Sequence, residues 1–369
     1  MRVWAEIDLG AIRRNLAEAQ SRLRRGCAVL AVVKANAYGH GAVPIAREVV
    51  QAGAAYLGVA SAAEGAVLRD SRITAPILVL GAMLDEELEM AAEHGLTPTL
   101  CSPEQVVRFG RLVRSRAARS PFHVKVDTGM RRSGTPLEKL PEILDAARST
   151  GSLFLEGIYT HFPSSETEEL SLAEKQLDTF EAILRELAAR GVRPPIAHVS
   201  NSGAIFTLPR AQFDLVRQGI TLYGLYPSAH LRKLVKLTPA LSLKTRIVLL
   251  RLVPPGTGIG YNHTFVTQRP TLIATLPIGY ADGYSVRYSN RASVIVRGRR
   301  VPVIGRVSMD YTTADVTDLP DVAVGDVVTV IGRDADEQVS VEELADLFGT
   351  VPHEVTCSIG QRVERVYLR

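Results

Sequence analysis

AVVKANAYGHG at residues 31–41 continues GCAVL at 26–30, so that an uncharged and mostly apolar run from Gly26 to Val33 ends at Lys34. Such a run suits a parallel strand buried on both faces. From Ala35 to Gly41 the residues are mostly small and turn-forming, and GAVPIAREVVQAG at 41–53 then reads as a helix. The unit is strand, loop, helix, with an amine at its tip. Lys34 either ends the strand with its head in water or stands at the mouth of a pocket. In the second case partial desolvation lowers its pKa, which suits it to Schiff-base chemistry with a carbonyl group.

Further strand-like runs follow near 56–60, 77–81, 97–100, 122–127, 153–160, 196–199 and 213–217, with helical segments between them. With 28–33, eight strands alternate with helices over about two hundred residues, and no nucleotide-type glycine fingerprint is present, which predicts a parallel (β/α)8 barrel rather than an open doubly wound sheet. Barrels carry their chemistry just past the strand ends. Lys34 follows the first strand, Asp127 to Arg132 the fifth, His161 the sixth, Asn201 and Ser202 the seventh, and Arg217 ends the eighth. Upstream, residues 3–8 read as a short strand whose Asp8 is placed to cap a helix beginning near Gly10. Beyond Tyr226-Pro227-Ser228, β-rich runs occupy 241–253, 271–278, 293–297, 301–304 and 326–331, with a turn signal at Arg297-Gly298-Arg299 and one late helix at 339–349. The expected organisation is α/β: an N-terminal TIM-type barrel over 1–230, its first strand free to pack with the C-terminal part, and a mainly β domain over 231–369.

Lysine and arginine total 43 against 39 acids, a net +4 with the signs intermixed. That is a weak pointer to anionic small ligands and no case for nucleic acid. The densest basic run, RLVRSRAARS at 111–120, has roughly helical arginine spacing without aromatics, so a solvated helix face is expected. Cys27, Cys101 and Cys357 lack metal or disulfide spacing, so no metal is expected. MRVWAEIDLG shows no basic n-region followed by an apolar h-region, and no apolar run approaches membrane-spanning length. A cytoplasmic protein without a membrane partner is expected.

Several stretches hold candidate chemistry, each with a plainer alternative. VSNSGA at 199–204 and RQGITLYG at 217–224 put small residues at strand-to-helix turns, where backbone N–H groups and the Ser202 hydroxyl can cradle an anion. Arg217 ends the largely apolar run 213–216, as an ion-pair residue or a ligand contact. GIYTHF at 157–162 sets His161 at the end of another strand, as a structural or a functional group. KVDTGMRRSG at 125–134 holds Lys125 and Arg132, which could simply form an ion-pair network with Asp127. PPGTGIGYNHTF at 254–265 is a glycine-rich loop presenting Tyr261, a packing group unless its phenol, ordinarily near pKa ~10, is shifted to serve as a base.

AVVKANAYGHG resembles the pyridoxal 5'-phosphate (PLP) lysine motif of alanine racemases of fold-type III. TLPIGYADGY at 275–284 and GRVSMD at 305–310 resemble that family as specifically, and the likeness covers essentially the whole chain. The resemblance implies that Lys34 is the Schiff-base lysine and that Tyr38, Ser202, Gly219 and Ile220 hold the cofactor phosphate. It implies that Arg217 faces the pyridine nitrogen, that His161 links it to Tyr261, and that Lys34 and Tyr261 are the two bases. By the same likeness Arg132 and the Met309 backbone bind the substrate carboxylate, Tyr280 and Asp310 stand at the entrance, and Lys125 is carbamylated and holds Arg132. A homodimer with shared sites, Tyr261 arriving from the partner subunit, is implied too, as is a role in D-alanine metabolism, either D-alanine biosynthesis for peptidoglycan precursors or D-alanine breakdown. The chain departs from the family at Glu364 for proline, at Arg131 and Ser133 for glycine and an apolar residue, and at His353 for a tyrosine touching phosphate and substrate space. The departure at His353 bears on phosphate anchoring and on alanine against serine. Rival readings are racemisation of serine, a PLP-dependent decarboxylase of the same barrel type, and a non-catalytic PLP carrier.

Overall fold

A computed structural model describes residues 1–369. The strand β1 is Val3–Asp8, and the barrel strands are β2 (Ala28–Val32), β3 (Tyr56–Val59), β4 (Ile77–Val79), β5 (Thr97–Leu100), β6 (Ser120–Lys125), β7 (Leu153–Tyr159), β8 (Ile196–His198) and β9 (Leu215–Gln218). They lie in the order β8-β7-β6-β5-β4-β3-β2-β9, and each neighbouring pair is parallel. At the seam between β8 and β9, the Asp214 N–H donates to the Ala197 carbonyl at 3.0 Å and the Arg217 N–H to the Ser200 carbonyl at 2.9 Å. Helices cover the outside, which is why the strands run apolar. The eight expected strands are all present.

The helix α1 (Leu9–Ser21) starts where its cap predicts, since Asp8 Oδ1 accepts the Ala11 N–H at 2.9 Å. β1 itself lies outside the barrel. It pairs antiparallel with Leu241–Arg246 and in parallel with Glu364–Leu368, so both ends of the chain enter one sheet of the second unit. The apolar run 241–253 is two strands rather than one: Leu241–Arg246 belongs to that larger sheet and Leu249–Val253 to a separate three-stranded sheet. The chain crosses over at Ile247 and Val248, whose N–H groups donate to Asp326 and Thr275 carbonyls in the two sheets, each at 3.0 Å. Arg297 and Gly298, at φ 51° and 72°, make the two-residue turn expected between Ser293–Val296 and Arg299–Pro302.

One expectation fails. RLVRSRAARS is not a helix face, for the helix Pro103–Leu112 stops as the run begins. Past Val113 it offers only Ser115, Ala117, Ala118 and Ser120 for burial, too little apolar surface to hold a helix down. Its guanidiniums close carbonyls of neighbouring elements instead: Arg116 bonds Ala92, and Arg119 Nε donates to Leu153 at 2.8 Å. No helix is long and apolar enough to cross a membrane.

Candidate active site

A cavity of about 510 Å³ opens at the carboxyl ends of the barrel strands, lined by Lys34, Tyr38, Lys125, Arg132, His161, Ser202, Arg217, Gly219, Ile220 and His353, among others. The barrel thus brings together every candidate proposed on its own residues. Burial holds the Lys34 amine below its ordinary pKa, and the Arg132 charge adds to that effect.

The chain leaving β2 is not a loose loop. Ala35, Asn36, Ala37 and Tyr38 have φ 51°, 52°, 53° and 53°, a turn of left-handed helix made without glycine. Each such residue costs roughly 1–2 kcal/mol, so the turn persists only because its surroundings hold it. Gly39 and Gly41 N–H groups donate to the Ala35 and Asn36 carbonyls at 3.0 and 2.9 Å, and Asn36 Oδ1 accepts the Ala42 N–H at 2.8 Å. His40 Nδ1 donates to the Tyr38 and Ala37 carbonyls at 2.9 and 3.1 Å, while full burial pushes its pKa down to about 4. That neutral imidazole therefore carries its proton on Nδ1. Lys34 and Tyr38 leave the two ends of the turn for the same cavity.

Opposite, the Ser202 hydroxyl accepts the Gly219 N–H at 2.8 Å and the Thr221 N–H at 3.5 Å. Gly219 leaves a gap: a Cβ there would lie 2.8 Å from Tyr38 Oη and 3.6 Å from Ser202 Oγ. Two hydroxyls converging on a space without a side chain fit a phosphate group. His353 reaches the same cavity, its ring edge-on to Tyr38 at 6.3 Å and its Nδ1 buried without a partner.

Arg217 lies almost wholly inside protein. Its Nη2 donates to the Thr160 and Val199 carbonyls at 2.7 and 2.9 Å and to His161 Nδ1 at 3.2 Å, and Nη1 to His198 Nδ1 at 2.9 Å. Burial pushes its pKa down to about 10, still far above neutrality. A guanidinium only donates, and this fixes what lies behind it. His198 must accept at Nδ1 and so carries its proton on Nε2, donating to His123 Nδ1 at 3.0 Å. His123 then donates from Nε2 to Glu156 Oε2 at 3.1 Å. Four groups form one donor chain, running from the cavity down through the barrel interior to a carboxylate. Burial first, then the Arg217 charge, holds His161 and His198 far below the ordinary imidazole pKa, so both stay neutral. Sequence reasoning missed His123, His198 and Glu156, whose one signal is polar residues inside otherwise apolar strands.

The ion-pair alternative for Lys125, Arg132 and Asp127 is not what the chain builds. Asp127 Oδ1 accepts the Gly129 and Arg131 N–H groups at 2.9 and 3.1 Å, capping its own turn, whereas Lys125 donates to Ser133 Oγ at 2.7 Å. Burial, with the charges of Arg217 and Arg132, pushes the Lys125 pKa down to about 8.

The second-unit candidates stand elsewhere. Tyr261, Tyr280 and Met309 are 68%, 48% and 53% exposed and line no part of the cavity. Asp310 pairs with Arg362 at 2.9 Å, and Arg362 also holds Asp282 at 2.7 Å. A single chain therefore assembles the barrel half of the expected site alone.

The model of the alanine racemase N-terminal domain matches residues 7–227, and that of the C-terminal domain residues 240–367. The chain belongs to the alanine racemase family. It is 42% identical to the alanine racemase of Halothermothrix orenii over 364 residues, covering 99% of this chain and 96% of the relative. The crystal structure of the Bacillus anthracis alanine racemase with bound L-Ala-P superposes with a TM-score of 0.94 at 39% identity, covering 100% of this chain and 95% of that one. The Bartonella henselae alanine racemase with covalently bound pyridoxal phosphate superposes at 0.89 and 31% identity, with 100% of both chains covered. The alanine racemase family is PLP-dependent. The residues gathered here fit that group, with a desolvated amine for its aldehyde, a gap at Gly219 for its phosphate, and a permanent cation at Arg217.

Proposed function

We propose that this protein interconverts L- and D-alanine with PLP held in the barrel mouth, acting as a homodimer. The observation that carries the reading is the convergence, in one cavity, of the Lys34 amine, the Gly219 gap and the Arg217 guanidinium. Lys34 binds the cofactor covalently, and Tyr38, Ser202, Gly219 and Ile220 hold its phosphate. When bound, PLP draws electron density from the substrate Cα and acidifies its C–H bond. Lys34 on one face and Tyr261 of the partner subunit on the other take and return that proton, Lys34 serving D-alanine and Tyr261 serving L-alanine. Arg132, with the Met309 backbone of the partner subunit, orients the carboxylate. Arg217 does not give up its proton, so it leaves the pyridine nitrogen unprotonated and favours prompt return of the Cα proton. His161 bonds Arg217 and joins it to the second base, while Tyr280 and Asp310 stand at the entrance.

Lys125 carries a carbamate in this reading. With two cations close by and a pKa pushed down to about 8, part of its amine is neutral at physiological pH and open to carbon dioxide. The carbamate anion then turns repulsion from Arg132 into attraction. Crystals grown at high bicarbonate that showed a free Lys125 amine would refute this.

The dimer is supported by the exposure of Tyr261, Tyr280 and Met309 away from the cavity. The division into 1–230 and 231–369 and a cytoplasmic location, where the three free cysteines stay reduced, belong to the same reading. The test is a chiral assay of purified protein with PLP and, separately, L-alanine, D-alanine and L-serine. Either alanine enantiomer should reach the same end-point, and the serine rate measures what His353 allows. Carbon dioxide release would instead indicate a decarboxylase, and bound PLP without turnover a carrier.

A further inference from the structure

Glu64 lies in the first turn of the helix Ala62–Asp70, outside every group assigned above. A glutamate there usually reaches back to the N–H of its own cap residue. Here the cap, Ser61, accepts the Glu64 N–H at 3.4 Å, but the carboxylate goes further: Oε1 accepts the Ala35 N–H at 2.8 Å and Oε2 the Ala60 N–H at 2.7 Å. Ala35 follows Lys34 and is the first residue of the left-handed turn, and Ala60 follows β3, the strand beside β2. One carboxylate thus ties together the carboxyl ends of two adjacent barrel strands at the cavity mouth. Both oxygens accept, and bonds from N–H groups to a carboxylate are about twice as strong as neutral ones. Its charge also acts on the Lys34 nitrogen, opposing the effect of Arg132.

We propose that Glu64 is a positioning residue for Lys34, holding the first peptide of the left-handed turn so that Lys34 and Tyr38 meet the cofactor from its two ends, and supplying the anion that balances Arg132 at the lysine nitrogen. The inference rests on the proposed PLP-dependent reaction. No other hydrogen bond to the Ala35 N–H is formed, and a left-handed turn without glycine depends on such ties. A glutamine at this position keeps the shape of the side chain. It loses the charge, and its amide nitrogen cannot accept the second N–H.

The experiment compares wild type, Glu64→Gln and Glu64→Asp in three measurements: the PLP dissociation constant of apoprotein, the pH midpoint of the visible absorbance of loaded protein, and kcat with KM for alanine. In Glu64→Gln the dissociation constant should rise at least tenfold, and the midpoint should move to lower pH because the anion favouring a protonated lysine nitrogen is gone. Glu64→Asp, keeping the charge at shorter reach, should restore the midpoint but not the affinity. Wild-type affinity and midpoint in both variants, with only the melting temperature lowered, would overturn the proposal and leave Glu64 a helix cap. Wild type that binds no PLP would refute the proposed function instead, so the two failures are distinct.

Discussion

Gly219 leaves open a space that a side chain would fill. A Cβ there would enter the gap between Tyr38 Oη and Ser202 Oγ. Gly219→Ala should lose PLP affinity at least tenfold in a fluorescence titration, with far-ultraviolet circular dichroism checking that the variant is folded. Unchanged affinity would move the phosphate elsewhere. Behind the cavity, His198→Phe removes the acceptor for Arg217 and the donor to His123, leaving buried polar groups unpaired at a cost of about 1–3 kcal/mol each. Urea denaturation of the apoprotein should show a loss of that order. Lys125 gives a pH dependence with a definite sign. Its folded pKa, pushed down to about 8, lies below the ordinary value near 10.4, so between those pH values the unfolded chain binds the extra proton. In carbon-dioxide-free buffer, stability should rise with pH across that window relative to Lys125→Met; parallel curves would mean that Lys125 is not held this way.

At the scale of elements, the left-handed turn is the feature the sequence conceals. Ala35, Asn36 and Ala37 read as loop residues, and small side chains carry no handedness. The conformation comes from ties made by Glu64, His40 and Asn36 within a folded barrel. Ala35 is exposed, so its Cβ brings no packing to offset a φ of 51°. Ala35→Gly should stabilise the apoprotein by about 0.5–1 kcal/mol, the relief of left-handed strain less the greater freedom of glycine in the unfolded chain. A destabilised variant would show that the turn is strained less than its dihedral angles imply. The barrel strands were legible because burial on both faces leaves an apolar run in the sequence, and Asp8 was legible because a cap acts three residues away. The two-sheet break at Ile247 was not, since it depends on partners at Thr275 and Asp326. Nor was the donor chain from Arg217 to Glu156, whose members come from four different strands or strand ends and have no common spacing. The residues lining the cavity could be listed from the strand ends, but their bonds could not.

For the whole molecule, the question is why half of the expected site stands open. Leu249 and Leu252, on an outer strand of the three-stranded sheet, are 44% and 69% exposed, as are the nearby Val248, Val266 and Tyr311 at 45%, 43% and 44%. With Tyr261 and Met309, the second unit thus exposes several large apolar side chains, Leu249 and Leu252 on opposite faces of their strand. In the proposed homodimer, two-fold symmetry would make two equivalent sites, each with Lys34 from one chain and Tyr261 from the other. Mixing inactive proteins tests this directly. Lys34→Ala and Tyr261→Phe should each be inactive alone, and each mixed dimer should contain one site with both bases intact and one with neither. Random exchange makes half the dimers mixed, so activity should recover to about a quarter of wild type at equal concentrations, and a tagged pull-down should show that only the mixed species turns over. If Lys34 and Tyr261 of the same chain formed the site, no mixture could recover activity, because every site would carry one lesion. Substituting Leu252→Lys in both chains should abolish the recovery by keeping the subunits apart, with each monomer still folded and able to bind PLP.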